Sequence, residues 1–225
     1  MFSDMSPHAS LRASAGWLPG RQIELKPLPP EVRATLRPHW LAGERVVLRP
    51  LEASDAPAFA DLVRRSRDAV GCWVPLGRPG EGLDEFVERQ VEASRRGEAD
   101  RRSVRRVIAV PDGGVPGGGR LAGLVAINGI ERGLEWKGDL VVWVEPALQG
   151  IGLGREAAQT LCDWALADVP FGLGLGAVYA GIDPENEACA RALGAAGFRR
   201  TGERSHLEVG EGRWRLHDFW VRRAA

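Results

Sequence analysis

Residues 139–168, DLVVWVEPALQGIGLGREAAQTLCDWALAD, decide how the whole chain is read. Leu140 to Val144 is a short apolar run rich in β-branched residues, the length of a buried strand rather than of a helix. Pro146 ends it, and Gln149-Gly150-Ile151-Gly152-Leu153-Gly154 follows. Over residues 155–167, Ala157, Ala158, Leu161, Cys162, Ala165 and Leu166 then recur at helical spacing. The order is strand, glycine-spaced turn, amphipathic helix. A helix start leaves its first backbone N–H groups without intrahelical partners and carries about half a positive charge. Glycines let that backbone approach a bulky phosphate, so the turn is a candidate anion site. Tight turning alone would also use these glycines. A P-loop requires Lys-Ser/Thr after its last glycine, where Arg155-Glu156 stands, and the dinucleotide fingerprint G-x-G-x-x-G is replaced by G-x-G-x-G.

Outward from this stretch, 225 residues fit one domain with a sizeable core, and 44% hydrophobic with 27% charged residues is ordinary for a globular chain. The 30 basic and 30 acidic side chains cancel, which excludes a broad field drawing the protein to nucleic acid or anionic membrane. The basic residues are arginines except for Lys26 and Lys137. Cys72, Cys162 and Cys189 show neither metal nor disulfide spacing, so no metal is expected and a reducing cytoplasm is the natural setting. The N-terminal residues lack an apolar signal core, and no apolar run approaches the roughly 18 residues of a membrane span.

The pattern predicts an extension over residues 1–42, frayed at first, with an alternating stretch at 22–28 and a short helix beginning at Pro30. A main domain over 43–225 opens with a strand at 43–51. Ser54 is expected to cap a helix whose apolar face holds Ala58, Phe59, Leu62 and Val63. A second helix is expected over 83–95, and strands over 105–110 and 120–130 flank a glycine-rich loop at 111–119. Residues 177–182 form a strand expected to lie parallel to 140–144, because a helix connects the two. A helix over 187–196 and a hairpin over 198–221, turning at 210–212, complete the chain. The fold class is α/β (α+β): a mixed, mostly antiparallel sheet with one parallel pair and flanking helices.

The motif Q-x-x-G-x-G after a Trp-Val-Glu-Pro strand end resembles the GNAT superfamily of acyl-CoA-dependent N-acyltransferases. So do Asp183-Pro184-Glu185-Asn186, Cys189 and Gly197-Phe198 downstream, and Val46 to Leu51 followed by Ser54-Asp55-Ala56 upstream. The combination is similar to the RimJ/RimL branch, which acetylates protein N-termini, and covers roughly residues 43–221. The resemblance implies acetyl-CoA or another acyl-CoA as co-substrate, its pantetheine arm lying where the parallel strands splay after Trp143 and before Asp183. It implies contacts from Trp143, Val144, Gln149, Gly150, Ile151, Gly152, Leu153, Gly154, Arg155 and Asn186, the diphosphate meeting the loop amides. An N–H beside Val144 would face the thioester carbonyl as an oxyanion donor.

The resemblance further implies that Trp73 walls an acceptor pocket, that Cys189 is the proton donor in place of a serine, and that Asp139 is the base. Each has a plainer reading: core cover for Trp73, a small buried residue for Cys189, a solvated strand-edge acid for Asp139, and helix capping for Asn186. A tyrosine found in many relatives is replaced by Leu193, and a glutamate found in some by Gly181. The C-terminal Trp-x-Asp-His pattern becomes Trp214-Arg215-Leu216-His217-Asp218. Three readings stay open: an N-acyltransferase acting on a protein N-terminus or small amine as monomer or homodimer, an acyl-CoA sensor with a degenerate site, and a structural protein retaining only the fold.

Overall fold

Two apolar layers on either side of one sheet organise the chain, seen here in a computed structural model that describes residues 25–111, 119–210 and 212–224. The strands are β1 Leu41–Ala42, β2 Val47–Arg49, β3 Val104–Val110, β4 Arg120–Arg132, β5 Trp136–Val144, β6 Ala177–Ile182, β7 Arg199–Glu208 and β8 Trp214–Arg223. Their spatial order is β1-β2-β3-β4-β5-β6-β8-β7. All neighbours are antiparallel except β5 and β6, which run parallel as the helical connection requires. The helices are α1 Pro30–Ala34, α2 Ala56–Val70, α3 Leu83–Asp100, α4 Leu153–Leu166 and α5 Glu187–Ala195.

The period of two along β5 divides the layers. Leu140 and Val144 pack with Leu153, Ala157 and Leu161 of α4, whereas Trp143 packs with Phe59 of α2 and Phe86 of α3. Each leucine so buried contributes roughly 2 kcal/mol. Among the described residues no helix is long and apolar enough to cross a membrane.

Several sequence expectations need correction. The strand expected over 43–51 is broken: the Gly43 N–H donates to the Val46 carbonyl at 2.9 Å, leaving β1 and β2 on either side of a turn. The reason lies in α4, because a Cβ on Gly43 would stand 2.6 Å from Glu156 Oε1, so only glycine lets that carboxylate reach the turn. Ser54 is not the helix cap. It is exposed in a single 3-10 turn closed reciprocally by Glu52 and Asp55, and Asp55 also receives both Arg49 nitrogens at 2.6 and 2.7 Å. Ala58 is exposed and Ala60 takes its place inside. Residues 25–28 form no strand, and Leu28 is anchored by its N–H to the Glu44 carbonyl at 2.6 Å. The glycine-rich loop falls mostly on 112–118, and part of the alternating stretch on 22–24, outside the described residues.

Candidate active site

The parallel pair is short. Only Lys137↔Ala177, Gly138↔Val178 and Asp139↔Tyr179 are in register. The strands therefore part after Asp139, four residues earlier than the sequence reading placed the split. β5 stays with β4 as far as Val144, and β6 stays with β8 as far as Ile182, so the sheet opens along the seam between its two halves. Gly123 of β4 permits the close approach, since a Cβ there would overlap the Trp143 carbonyl. The Glu145 N–H bonds the Ala122 carbonyl at 2.8 Å. Antiparallel alternation then commits Trp143 to β4 and turns the N–H groups of Val142 and Val144 toward the open seam. The Trp143 ring lies 6.4 Å from that of Phe59, within the core.

Beyond β5 the chain makes its glycine turn. Gly150 and Gly152 have φ of 80° and 88°, a region disfavoured for any residue with a Cβ, and Gly152 precedes the first turn of α4. Gln149 ties the turn back by donating its side-chain amide to the Val144 carbonyl at 2.8 Å. No described residue accepts the N–H of Gly150, Ile151, Gly152, Leu153 or Gly154. A charged clamp fixes the loop from beneath. Glu156 accepts from the Arg45 and Val46 N–H groups at 2.6 and 3.1 Å and from Arg45 Nε at 2.9 Å, while Arg45 Nη1 reaches the Ile151 carbonyl at 2.9 Å. The loop carbonyl is thereby held inward and its amides remain available. Arg155 is exposed on the third residue of α4.

Across the seam, Asn186 caps α5, its Oδ1 accepting the Cys189 N–H at 3.1 Å. The cap holds the Cys189 side chain in the first turn, where burial pushes its thiol up to about 11. Asp139 lies at the closed end of the seam. Desolvation pushes its carboxyl above the ordinary range, opposed by Lys137. Three residues separate it from Val142, roughly 10 Å of strand.

On the α2–α3 side, the Arg215 guanidinium stacks 5.4 Å from the Trp73 ring and pairs with Asp183 at 2.8 Å and Glu185 at 2.9 Å. His217, two residues along the same strand face, is buried, with Nδ1 2.8 Å from the Arg215 carbonyl. The described residues contain no group of side chains suited to a metal ion.

Sequence reading missed the Arg45–Glu156 clamp, the Gly123 contact and the position of His217. One signal was present for the first: Glu156 falls on the apolar stripe of α4 between Leu153 and Ala157, where a charge requires a partner.

The family model described as "Acetyltransferase (GNAT) domain" matches residues 45–199. The chain is similar to the "Probable N-acetyltransferase YjcK" of Bacillus subtilis (strain 168), 26% identical over 79% of this chain and 93% of that protein. It is also similar to YdaF of the same strain, provisionally named a ribosomal N-acetyltransferase. That match is 21% identical over 56% of this chain and 65% of YdaF, so the aligned part spans just under two thirds of it. Among solved structures, Mycobacterium smegmatis RimJ in complex with CoA-disulfide has the same fold, with TM-score 0.69, 21% identity and coverage of 83% of this chain and 88% of that one.

Proposed function

The chain belongs to the GNAT acetyltransferase family of acyl-CoA-dependent N-acetyltransferases, and from that premise we propose that it transfers an acetyl group from acetyl-CoA to the amine of a protein N-terminus or a small molecule. The observation that carries this reading is the run of N–H groups from Gly150 to Gly154 with no acceptor among the described residues, placed where a parted strand pair ends. They suit a diphosphate: two glycines in left-handed conformation present the amides, and α4 adds the positive end of its dipole.

In this reading the amides of 150–154 hold the diphosphate, with Arg155 as a flanking cation. Gln149 shapes the loop rather than touching the ligand, because its amide is already engaged. Val142 and Val144 offer edge N–H groups to the pantetheine arm in the manner of an added strand. One of them, beside the thioester carbonyl, stabilises the oxyanion as the amine attacks, an interaction whose loss typically costs about a hundred- to a thousandfold in rate. Asn186 keeps its side-chain NH2 for the arm while capping α5. Cys189, protonated throughout the neutral range by its raised pKa, can pass a proton to the departing thiolate. Asp139 stands too far down β5 to take a proton at the thioester directly.

Trp73 and Arg215 wall the acceptor side. A ribosomal-protein acceptor is supported by the similarity to YdaF, named as a ribosomal N-acetyltransferase, and the CoA-bound RimJ structure supports the donor. The test is release of free CoA thiol from acetyl-CoA, with N-terminal peptides and small amines as acceptors and intact-mass detection of a 42 Da gain on the acceptor, roughly one acetyl group for one amine proton. Tight acetyl-CoA binding without turnover on any of them would oppose this reading.

A further inference from the structure

We propose that His217 is the general base that takes the proton from the acceptor's ammonium group. The inference rests on the acetyl-transfer reading and assigns a side chain to a step it leaves open.

His217 lies on β8, against the half of β6 that has parted from β5. Alternation puts Ala180 and Ile182 of β6 on the α4 side, so Gly181 faces the α2–α3 side. The His217 ring stands on that same side: its Cβ and Cδ2 are 3.7 and 3.8 Å from where a Gly181 Cβ would be. A side chain at 181 would meet Leu207 Cδ1 at 2.6 Å, while the imidazole itself lies at ordinary contact distance from that position. The residue is 5% exposed.

Its tautomer is set by one contact. Nδ1 is 2.8 Å from the Arg215 carbonyl, and a carbonyl only accepts. The hydrogen therefore sits on Nδ1, and Nε2, one bond from Cδ2, keeps the lone pair. No described residue bonds Nε2. Gly181 is two residues beyond Tyr179, the last β6 residue paired with β5, which sets it level with Val141 and next to the edge N–H of Val142. A thioester carbonyl held by that edge would lie beside the imidazole.

The other titratable groups near this face are engaged or remote. Asp183 receives Arg215 at 2.8 Å and the Glu185 N–H at 2.9 Å, and Glu185 receives Arg215 at 2.9 Å. Glu135 is tied to Arg223 at 2.8 Å and to the Tyr179 hydroxyl. Asp218 points to the opposite face, where it pairs with Arg204 at 2.6 Å. Cys72 is exposed with its thiol turned to the Ala69 carbonyl, and burial raises it further from ionisation.

The step balances as follows. The acceptor arrives as R–NH3+, and Nε2 takes one proton. The neutral amine forms the C–N bond at the thioester carbonyl carbon, giving a tetrahedral oxyanion. Its collapse breaks the C–S bond, the sulfur leaves with the electron pair and takes the Cys189 proton, and the second amine proton restores the Cys189 thiol. The products are the amide and CoA thiol, and protonated His217 returns its proton to solvent.

The test uses the full chain, acetyl-CoA, and two acceptors: a peptide with a free N-terminal amine, and hydroxylamine, which is already neutral at the assay pH. His217→Gln should lower kcat for the peptide by about 100-fold or more. It should leave the acetyl-CoA Kd and the hydroxylamine rate unchanged, whereas His206→Gln on the exposed β7 strand should change neither rate. Long-range 15N imidazole spectra should show His217 with its hydrogen on Nδ1. Unaltered peptide turnover, an equal loss with both acceptors, or a hydrogen on Nε2 would overturn the assignment. A wild-type chain that binds no acetyl-CoA would count against the acetyl-transfer reading itself, while the imidazole spectrum still judges the tautomer.

Discussion

Glu156 is a carboxylate on the buried stripe of α4, and its partners explain why it is tolerated: two backbone N–H groups and the Arg45 guanidinium, all from the β1–β2 turn. Glu156→Ala would strand those donors, so a loss of about 3 kcal/mol or more in unfolding free energy is expected in urea titration. The acetyl-CoA Kd should rise as well, because Arg45 also holds the Ile151 carbonyl. The cysteines carry a second residue-scale consequence. Burial raises Cys189 to about 11 and Cys162 to about 12 from an ordinary 9.0, so folding favours the protonated thiols. That stabilisation is complete below pH 9 and is lost as pH climbs through the raised values. Thermal unfolding between pH 8.5 and about 11 should show a falling Tm, on the order of a few kcal/mol in stability, and Cys162→Ala should flatten the fall. At this scale the sequence was legible where chemistry is local, as in the capping Asn186. It was silent on Arg45, whose partner lies 111 residues away.

The turn between β5 and α4 is the element most readable in advance, because glycines spaced before an amphipathic stretch dictate a strand, a turn and a helix start. Strand partners were less readable. The point where β5 leaves β6 depends on what β4 and β8 hold on the far edges, and no local pattern encodes it. Gly123 belongs to this level. A methyl group at 123 would press on the Trp143 carbonyl, so Gly123→Ala should shift β5 and reduce kcat/KM by about tenfold or more with the fold retained, as read by steady-state kinetics beside circular dichroism. Gly152→Ala acts on the turn itself. At φ 88° a Cβ strains the backbone by about 1–3 kcal/mol, and its neighbour, the flexible Arg45 Nη2 at 3.3 Å, can move aside. A weakened acetyl-CoA affinity with a modest drop in Tm is therefore expected by calorimetric titration.

Across the whole molecule, the sheet places two unlike surfaces on one seam. The turn into α4 and the start of α5 bring the amides of 150–154 and the Cys189 thiol, while β8 and the α2–α3 connection bring His217, Arg215 and Trp73. Balanced total charge leaves recognition to these local groups rather than to a long-range field. The overall architecture was legible from the order of periodic segments, and the proposed acceptor side was not. His217 and Gly181 stand 36 residues apart in sequence and meet only once β8 inserts between β6 and β7. The most direct test of the central claim is a 15N amide titration of the intact chain with CoA. The largest shifts should fall on Gly150, Ile151, Gly152, Leu153 and Gly154, followed by Val142 and Val144. Shifts centred elsewhere, with those amides unmoved at saturating CoA, would contradict it.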